Sequence, residues 1–153
     1  MTVSRMLAST LLIGALSAFA PLTYAKTCEL AIEGTDAMQF TKPTLAVAAD
    51  CTEVKLTLKH SGKLPAAAMG HNWVLTETSV LQAVATAGMS AGLPNNYVPK
   101  DDARVLAHTK VVGGGESTSV TFPVSKLKKG GDYTFFCSFP GHWSVMKGKL
   151  TFG

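Results

Sequence analysis

The stretch Glu53-Val54-Lys55-Leu56-Thr57-Leu58-Lys59-His60 decides the fold class. In an extended chain Val54, Leu56, Leu58 and His60 fall on one face, and Glu53, Lys55, Thr57 and Lys59 on the other. A period of two marks a half-buried β-strand, because successive side chains point to opposite faces of a sheet. The same period recurs on both sides of this stretch. Upstream, Cys28, Leu30 and Ile32 alternate with Glu29, Ala31 and Glu33. Downstream, His71, Trp73 and Leu75 share a face, as do Val120, Phe122 and Val124, and then Tyr133, Phe135 and Cys137, with Leu150 and Phe152 finishing the chain. Turn chemistry separates these runs at Ser61-Gly62, Gly113-Gly114-Gly115, Gly130-Gly131-Asp132 and Pro140-Gly141. Short strands punctuated in this way predict an all-β sandwich or barrel.

One segment breaks the pattern. From about Val80 to Ala91 the chain is rich in alanine, and Val80, Leu81, Val84 and Gly88 stand near helical spacing, with Thr78 or Ser79 as the candidate cap. This predicts one short α-helix inserted into the β fold. Asn95 to Asp102 reads as a polar, proline-containing loop.

The chemistry concentrates in Cys137-Ser138-Phe139-Pro140-Gly141-His142-Trp143-Ser144-Val145-Met146. A thiol, an imidazole and a thioether come from one short loop after an apolar strand. Soft sulfur donors together with imidazole favour copper, and two histidines, one cysteine and a weak axial methionine make the blue-copper electron-transfer set. His71, on the same face as Trp73 and Leu75, is the candidate second imidazole. Each residue also has a plainer reading: a buried thiol, a turn histidine, a core methionine filling a gap. Zinc is the rival ion, but structural zinc sites take four Cys or His ligands and rarely a thioether. A Cys-His-Asn hydrolase built from Cys137, a histidine and Asn72 is a further alternative, and it leaves Met146 without a role. A copper-delivery protein would need exposed, exchangeable ligands, whereas Cys137 lies among Phe135, Phe136 and Phe139. His60, on the apolar face of its strand, reads as a buried hydrogen-bonded histidine, and His108 as a surface or strand-end residue.

The chain has 153 residues, a soft prior for one domain. Arg5, the apolar run from Met6 to Phe19 and the small residues of Thr23-Tyr24-Ala25 have the layout of a cleavable export signal, so the expected domains are 1–25 as signal and 26–153 as the mature protein. The apolar run is shorter than the ~20 residues of a membrane span and is broken by Pro21. The net charge of +4, less the one charge of Arg5, leaves +3 on the mature chain. Its lysines are dispersed, and none of their runs has the density of a nucleic-acid-binding arm. Of three cysteines in an exported chain, two are expected to pair, leaving one over, and Cys137 stands far downstream of the others. A free thiol in an oxidising compartment is a liability, while a metal-bound thiolate is not.

The strings Met69-Gly70-His71-Asn72-Trp73-Val74-Leu75 and Phe135-Phe136-Cys137-Ser138-Phe139-Pro140-Gly141-His142, followed by Met146-Lys147-Gly148, resemble the azurins, bacterial members of the cupredoxin family. Asp101 to Val105, Ala107 to Lys110, Ser119 to Phe122 and Val124 to Lys128 fit the same family, so the resemblance covers essentially all of the mature chain. It implies a Greek-key β-sandwich with an external helix and no enzymatic activity. It implies one copper ion, cycling between Cu(I) and Cu(II), on His71, Cys137 and His142, with Met146 and the Gly70 carbonyl at longer axial distances. It also implies a Cys28–Cys51 disulfide. Asn72 would tie the ligand loops together, and the N–H groups of Asn72 and Phe139 would donate to the Cys137 sulfur, with Pro140 offering no donor. His60 would be the family's pH-sensitive histidine. The edge of His142 would surface within an apolar patch of Met38, Leu64, Met69, Phe139, Pro140 and Gly141. There a monomer in the periplasm would meet redox proteins such as c-type cytochromes or periplasmic reductases. Trp143 departs from the family's small residue at that position, and would either cover His142 and alter docking or pack on its neighbours.

Overall fold

The computed structural model describes residues 25–153. All of the expected export signal but Ala25 therefore lies outside the described residues. The strand read from Glu53–His60 forms as β4, with Val54, Leu56, Leu58 and His60 buried between more exposed neighbours. It pairs in parallel with β1 (Thr27–Thr35), which pairs antiparallel with the short β2 (Gln39–Phe40). On its other side β4 pairs antiparallel with β7 (Ser117–Pro123), giving a sheet of order β2-β1-β4-β7.

The second sheet has order β3-β9-β8-β5-β6, built from β3 (Thr44–Val47), β5 (Val74–Glu77), β6 (Ala107–His108), β8 (Tyr133–Phe136) and β9 (Lys147–Phe152). The chain passes repeatedly from one sheet to the other, which makes the all-β sandwich with one short helix that the sequence predicts. Their facing sides interdigitate in one core containing Val54, Leu56, Leu58, Leu75, Phe122, Phe135 and Leu150. The Trp73 ring lies between the sheets, 6.1 Å from Phe122 of β7 and 5.9 Å from Phe135 of β8. Cys28 is bonded to Cys51, stapling the start of β1 to the turn two residues before β4.

Three local expectations are corrected. First, Val80 to Ala91 becomes a 3₁₀ turn at Thr78–Val80 followed by α2 (Leu81–Ala91), and neither Thr78 nor Ser79 caps it. The Thr78 hydroxyl is engaged elsewhere: it donates to Asp132 and accepts from the Thr134 hydroxyl. Leu81, Val84, Ala85 and Gly88 are the buried stripe of α2. A β-carbon at Gly88 would collide with the Tyr97 carbonyl, so glycine lets the following loop fold back onto the helix.

Second, α2 packs on Val74 and Phe136, covering the outer face of β5 and β8. All four residues of β8 are therefore buried and alternation is lost there. Third, His71 does not begin a strand: β5 starts at Val74, and His71 is held by an isolated antiparallel bridge to Val112. A one-turn helix, α1 (Ala66–Met69), precedes it and has no counterpart in the sequence reading.

Candidate metal centre

Strand β8 ends at Phe136, and the following loop folds back on itself. The Cys137 N–H donates to the Met146 carbonyl at 3.0 Å, and the His142 carbonyl accepts the Met146 N–H at 2.8 Å. The His142 N–H donates to the Phe139 carbonyl, closing the turn over Pro140-Gly141. The residues at Cys137-x4-His142-x3-Met146 are thus turned inward by their own loop, and Cys137, His142 and Met146 are all buried. His71 arrives from the other side through paired backbone bonds with Val112, at 3.0 and 2.8 Å.

The ligand atoms of His71, Cys137 and His142 lie within 4.8 Å of one another. Cys137 Sγ is 3.5 Å from His142 Nδ1, 3.8 Å from His71 Nδ1 and 3.8 Å from the Gly70 carbonyl. Met146 packs in the same small cluster as Cys137 and Phe139. Among the described residues one other group has metal-like spacing, Cys28, Asp50 and Cys51, but its two cysteines form the disulfide and offer no thiolate.

Hydrogen bonds fix the ring tautomers. His71 Nε2 meets the Thr35 carbonyl at 2.9 Å; a carbonyl only accepts, so Nε2 carries the proton and the Nδ1 lone pair faces Cys137. Such an outer partner orients a metal-binding histidine. Behind it, the His60 ring stacks on His71 at 4.3 Å, with Nε2–H donating to the Met69 carbonyl and Nδ1 accepting the Gly62 N–H. Asn72 bridges the loops: its Oδ1 accepts the Ser138 N–H at 2.8 Å, and its Nδ2 donates to Ser138 Oγ at 2.8 Å and to the Asn96 carbonyl at 2.7 Å.

Burial pushes the Cys137 thiol up to about 12, against the opposing pull of the Asn72 and Phe139 backbone N–H groups. It pushes His71 down to about 4, against the bond to Thr35, and lowers His142 as well. Near neutral pH the site therefore presents two neutral imidazoles and a protonated thiol. Two imidazole lone pairs, a thiol that a bound cation would deprotonate and a buried thioether fit copper. They do not fit a thiol hydrolase, because Cys137 is fully buried. A cavity of about 570 Å³ between the 94–108 loop and β7 contains none of these groups.

These shifts set a pH dependence for the copper-free protein. An unfolded His71 takes a proton near pH 6.5, the folded one only near 4. Between those values the unfolded state binds more protons, so stability rises with pH there. The contribution is complete above 6.5 and is lost as pH falls toward 4, on the order of 3 kcal/mol for His71 at 1.36 kcal/mol per unit. The thermal midpoint of copper-free protein is expected to drop across that window, and a flat midpoint from pH 7 to 4 counts against the burial argument.

Gly70 precedes His71 and is buried, as are Asn72 and Phe139, while Pro140 and Gly141 are exposed at the loop tip. Met38 and Leu64 are exposed and Met69 is half-buried. Trp143 is half-buried against the Leu81, Val84 and Phe136 cluster, engaged on the helix side of its loop. His108 is exposed on β6. Sequence reading missed the Thr35 carbonyl, Gly34, Ser138 and Asn96, none of which carries a chemical signature in the chain.

Residues 26–153 match the family described as copper binding proteins, plastocyanin/azurin family. The chain is 60% identical to the azurin of Alcaligenes faecalis over 126 residues, covering 82% of this chain and 98% of that one. It is 54% identical to the azurin of Achromobacter denitrificans over 145 residues, covering 95% and 97%. Among solved structures, an azurin (Az-iso2) of the obligate methylotroph Methylomonas sp. strain J superposes with a TM-score of 0.80 at 44% identity, covering 82% of this chain and 98% of that one.

Proposed function

The chain belongs to the plastocyanin/azurin family of copper-binding proteins, and from that premise we propose that it is a one-electron carrier, not an enzyme, with one copper ion held by His71, Cys137, His142 and Met146. The observation that carries this reading is the convergence of a fully buried thiol with two imidazoles, the His71 ring held in one tautomer by the Thr35 carbonyl. Bound copper supplies a Cu(II)/Cu(I) couple, and a set of two imidazoles, a thiolate and a thioether suits both states. The protein's part is to keep those ligands still. The closed 137–146 loop, the Asn72 bridge and the Thr35 carbonyl limit how far they shift when charge changes, and burial excludes water. The Gly70 carbonyl, 3.8 Å from Cys137 Sγ, supports its reading as a weak additional donor.

Electrons would pass by way of His142, which is 3% exposed beside Phe139 and the exposed Pro140-Gly141 tip. The apolar surface there, with Met38, Leu64 and Met69, suits the small, short-lived interfaces of redox encounters. Its partners would be redox proteins such as c-type cytochromes or periplasmic reductases. The export-type start of the chain supports a periplasmic location after cleavage behind Ala25, with 26–153 as one working domain. Among the described residues no helix is long and apolar enough to cross a membrane. The helix-side packing of Trp143 supports a docking face built without it.

The test is the visible spectrum of the mature protein with Cu(II), before and after reduction. An intense blue band that reduction bleaches and reoxidation restores is expected. A colourless protein with Cys137 still titrating as a free thiol sinks the proposal.

A further inference from the structure

Gly34 lies near the end of β1, directly behind the metal site. A β-carbon there would sit 2.7 Å from Cδ2 of His71 and 2.8 Å from Cε of Met146, both closer than real β-carbons come to other heavy atoms. Gly34 and the His71 ring are both held by other contacts. Gly34 is in register with His60 of β4 and Phe40 of β2, and its carbonyl accepts from the Ser61 N–H at 2.9 Å and the Ser61 hydroxyl at 3.2 Å. The His71 ring is held by Thr35 at one edge and stacked on His60 across its face. The movable group is the Met146 side chain, whose unbranched thioether has three rotatable bonds.

We infer that Gly34 is a positioning residue for the metal site: its missing side chain leaves the room in which the Met146 thioether stands beside His71, and so sets the site's preference for a soft ion over zinc. The inference rests on the copper reading above. Any side chain at 34 crowds both groups: the His71 ring can give only by straining its bond to Thr35, and the thioether, the freer of the two, moves furthest. What remains is two imidazoles and a thiolate, a set that zinc accepts readily, because the lost donor is the one that favours Cu(I).

The experiment measures the Cu(I)-to-Zn(II) affinity ratio by competition in the parent, Gly34→Ala, Met146→Ala and the double variant. Thermal midpoints of all four are taken without metal. The ratio is expected to fall about tenfold or more in Gly34→Ala, the scale of residues that orient metal ligands. In the Met146→Ala background the same substitution should change it by less than about threefold, because residues in contact are not additive. The metal-free midpoint should likewise fall further in the parent than in the Met146→Ala background. An unchanged ratio in Gly34→Ala, or an equal fall in both backgrounds, overturns the inference. If Gly34→Ala alone does not fold, the double variant, freed of the Met146 contact and left with the His71 one, is expected to fold, and its failure to do so overturns the inference in favour of crowding against His71 alone. A parent that binds no copper overturns the copper reading and this inference together, whereas a blue parent with an insensitive Gly34→Ala overturns the inference alone.

Discussion

Replacing Cys137 with serine is expected to abolish the blue band and to weaken copper binding by more than about a hundredfold. Partners that merely orient a ligand are worth about 10–100-fold, and this substitution removes the soft anionic ligand itself. The hydroxyl that replaces it holds its proton more tightly than a thiol already raised to about 12 by burial. Fold and copper-free stability should change far less. Serine is nearly isosteric, and its hydroxyl faces the Gly70 carbonyl that Cys137 Sγ meets at 3.8 Å. A circular dichroism melt of copper-free protein beside a copper titration separates the two effects. Retention of the band in Cys137→Ser would mean that the chromophore is not a thiolate on this residue, and the site would have to be rebuilt around other donors.

The second large effect is at Asn72, which touches no ligand with its side chain. Its amide satisfies the Ser138 N–H, the Ser138 hydroxyl and the Asn96 carbonyl, with the side chain fully buried. Asn72→Ala strands the Ser138 N–H and leaves the Ser138 hydroxyl and the Asn96 carbonyl only their long mutual bond of 3.5 Å, with little access to water. At about 1–3 kcal/mol for each buried group stranded, a loss of about 3–5 kcal/mol is expected. For a domain of this size that is a fall of roughly 10–20 °C in the thermal midpoint. Asn72→Asp keeps the acceptor for Ser138 N–H but loses both donations, so its loss should lie between the parent and alanine. Because Ser138 follows Cys137 directly, the blue band should also broaden or shift. A midpoint within about 2 °C of the parent would show that the loops hold their places without this bridge.

How much of this could be read from the chain depended on where each side chain's partners lie. Strand β4 was legible because one of its faces meets water, so burial leaves an alternating record. Strand β8 left none, since α2 covers its outer side and all four of its residues are buried. The cap expected at Thr78 failed because its hydroxyl serves Asp132 and Thr134, more than fifty residues away in the chain. The burial of His60 followed from its place on the apolar face, but its stacking on His71 did not.

By itself, then, the sequence determined the donor chemistry and the layered all-β class. A thiol, an imidazole and a thioether in one ten-residue loop are adjacent before any folding occurs, and a period of two is a local property of the backbone. Only the tertiary structure decided which backbone atoms finish the site. The Thr35 carbonyl that fixes the His71 tautomer, the space left by Gly34 and the bridge from Asn72 to Ser138 join positions 36 to 66 residues apart or act through main-chain atoms and empty volume. Every residue carries the same main-chain groups, so no residue type announces them. They acquire meaning only when β1, the His71 segment and the Cys137 loop are packed together.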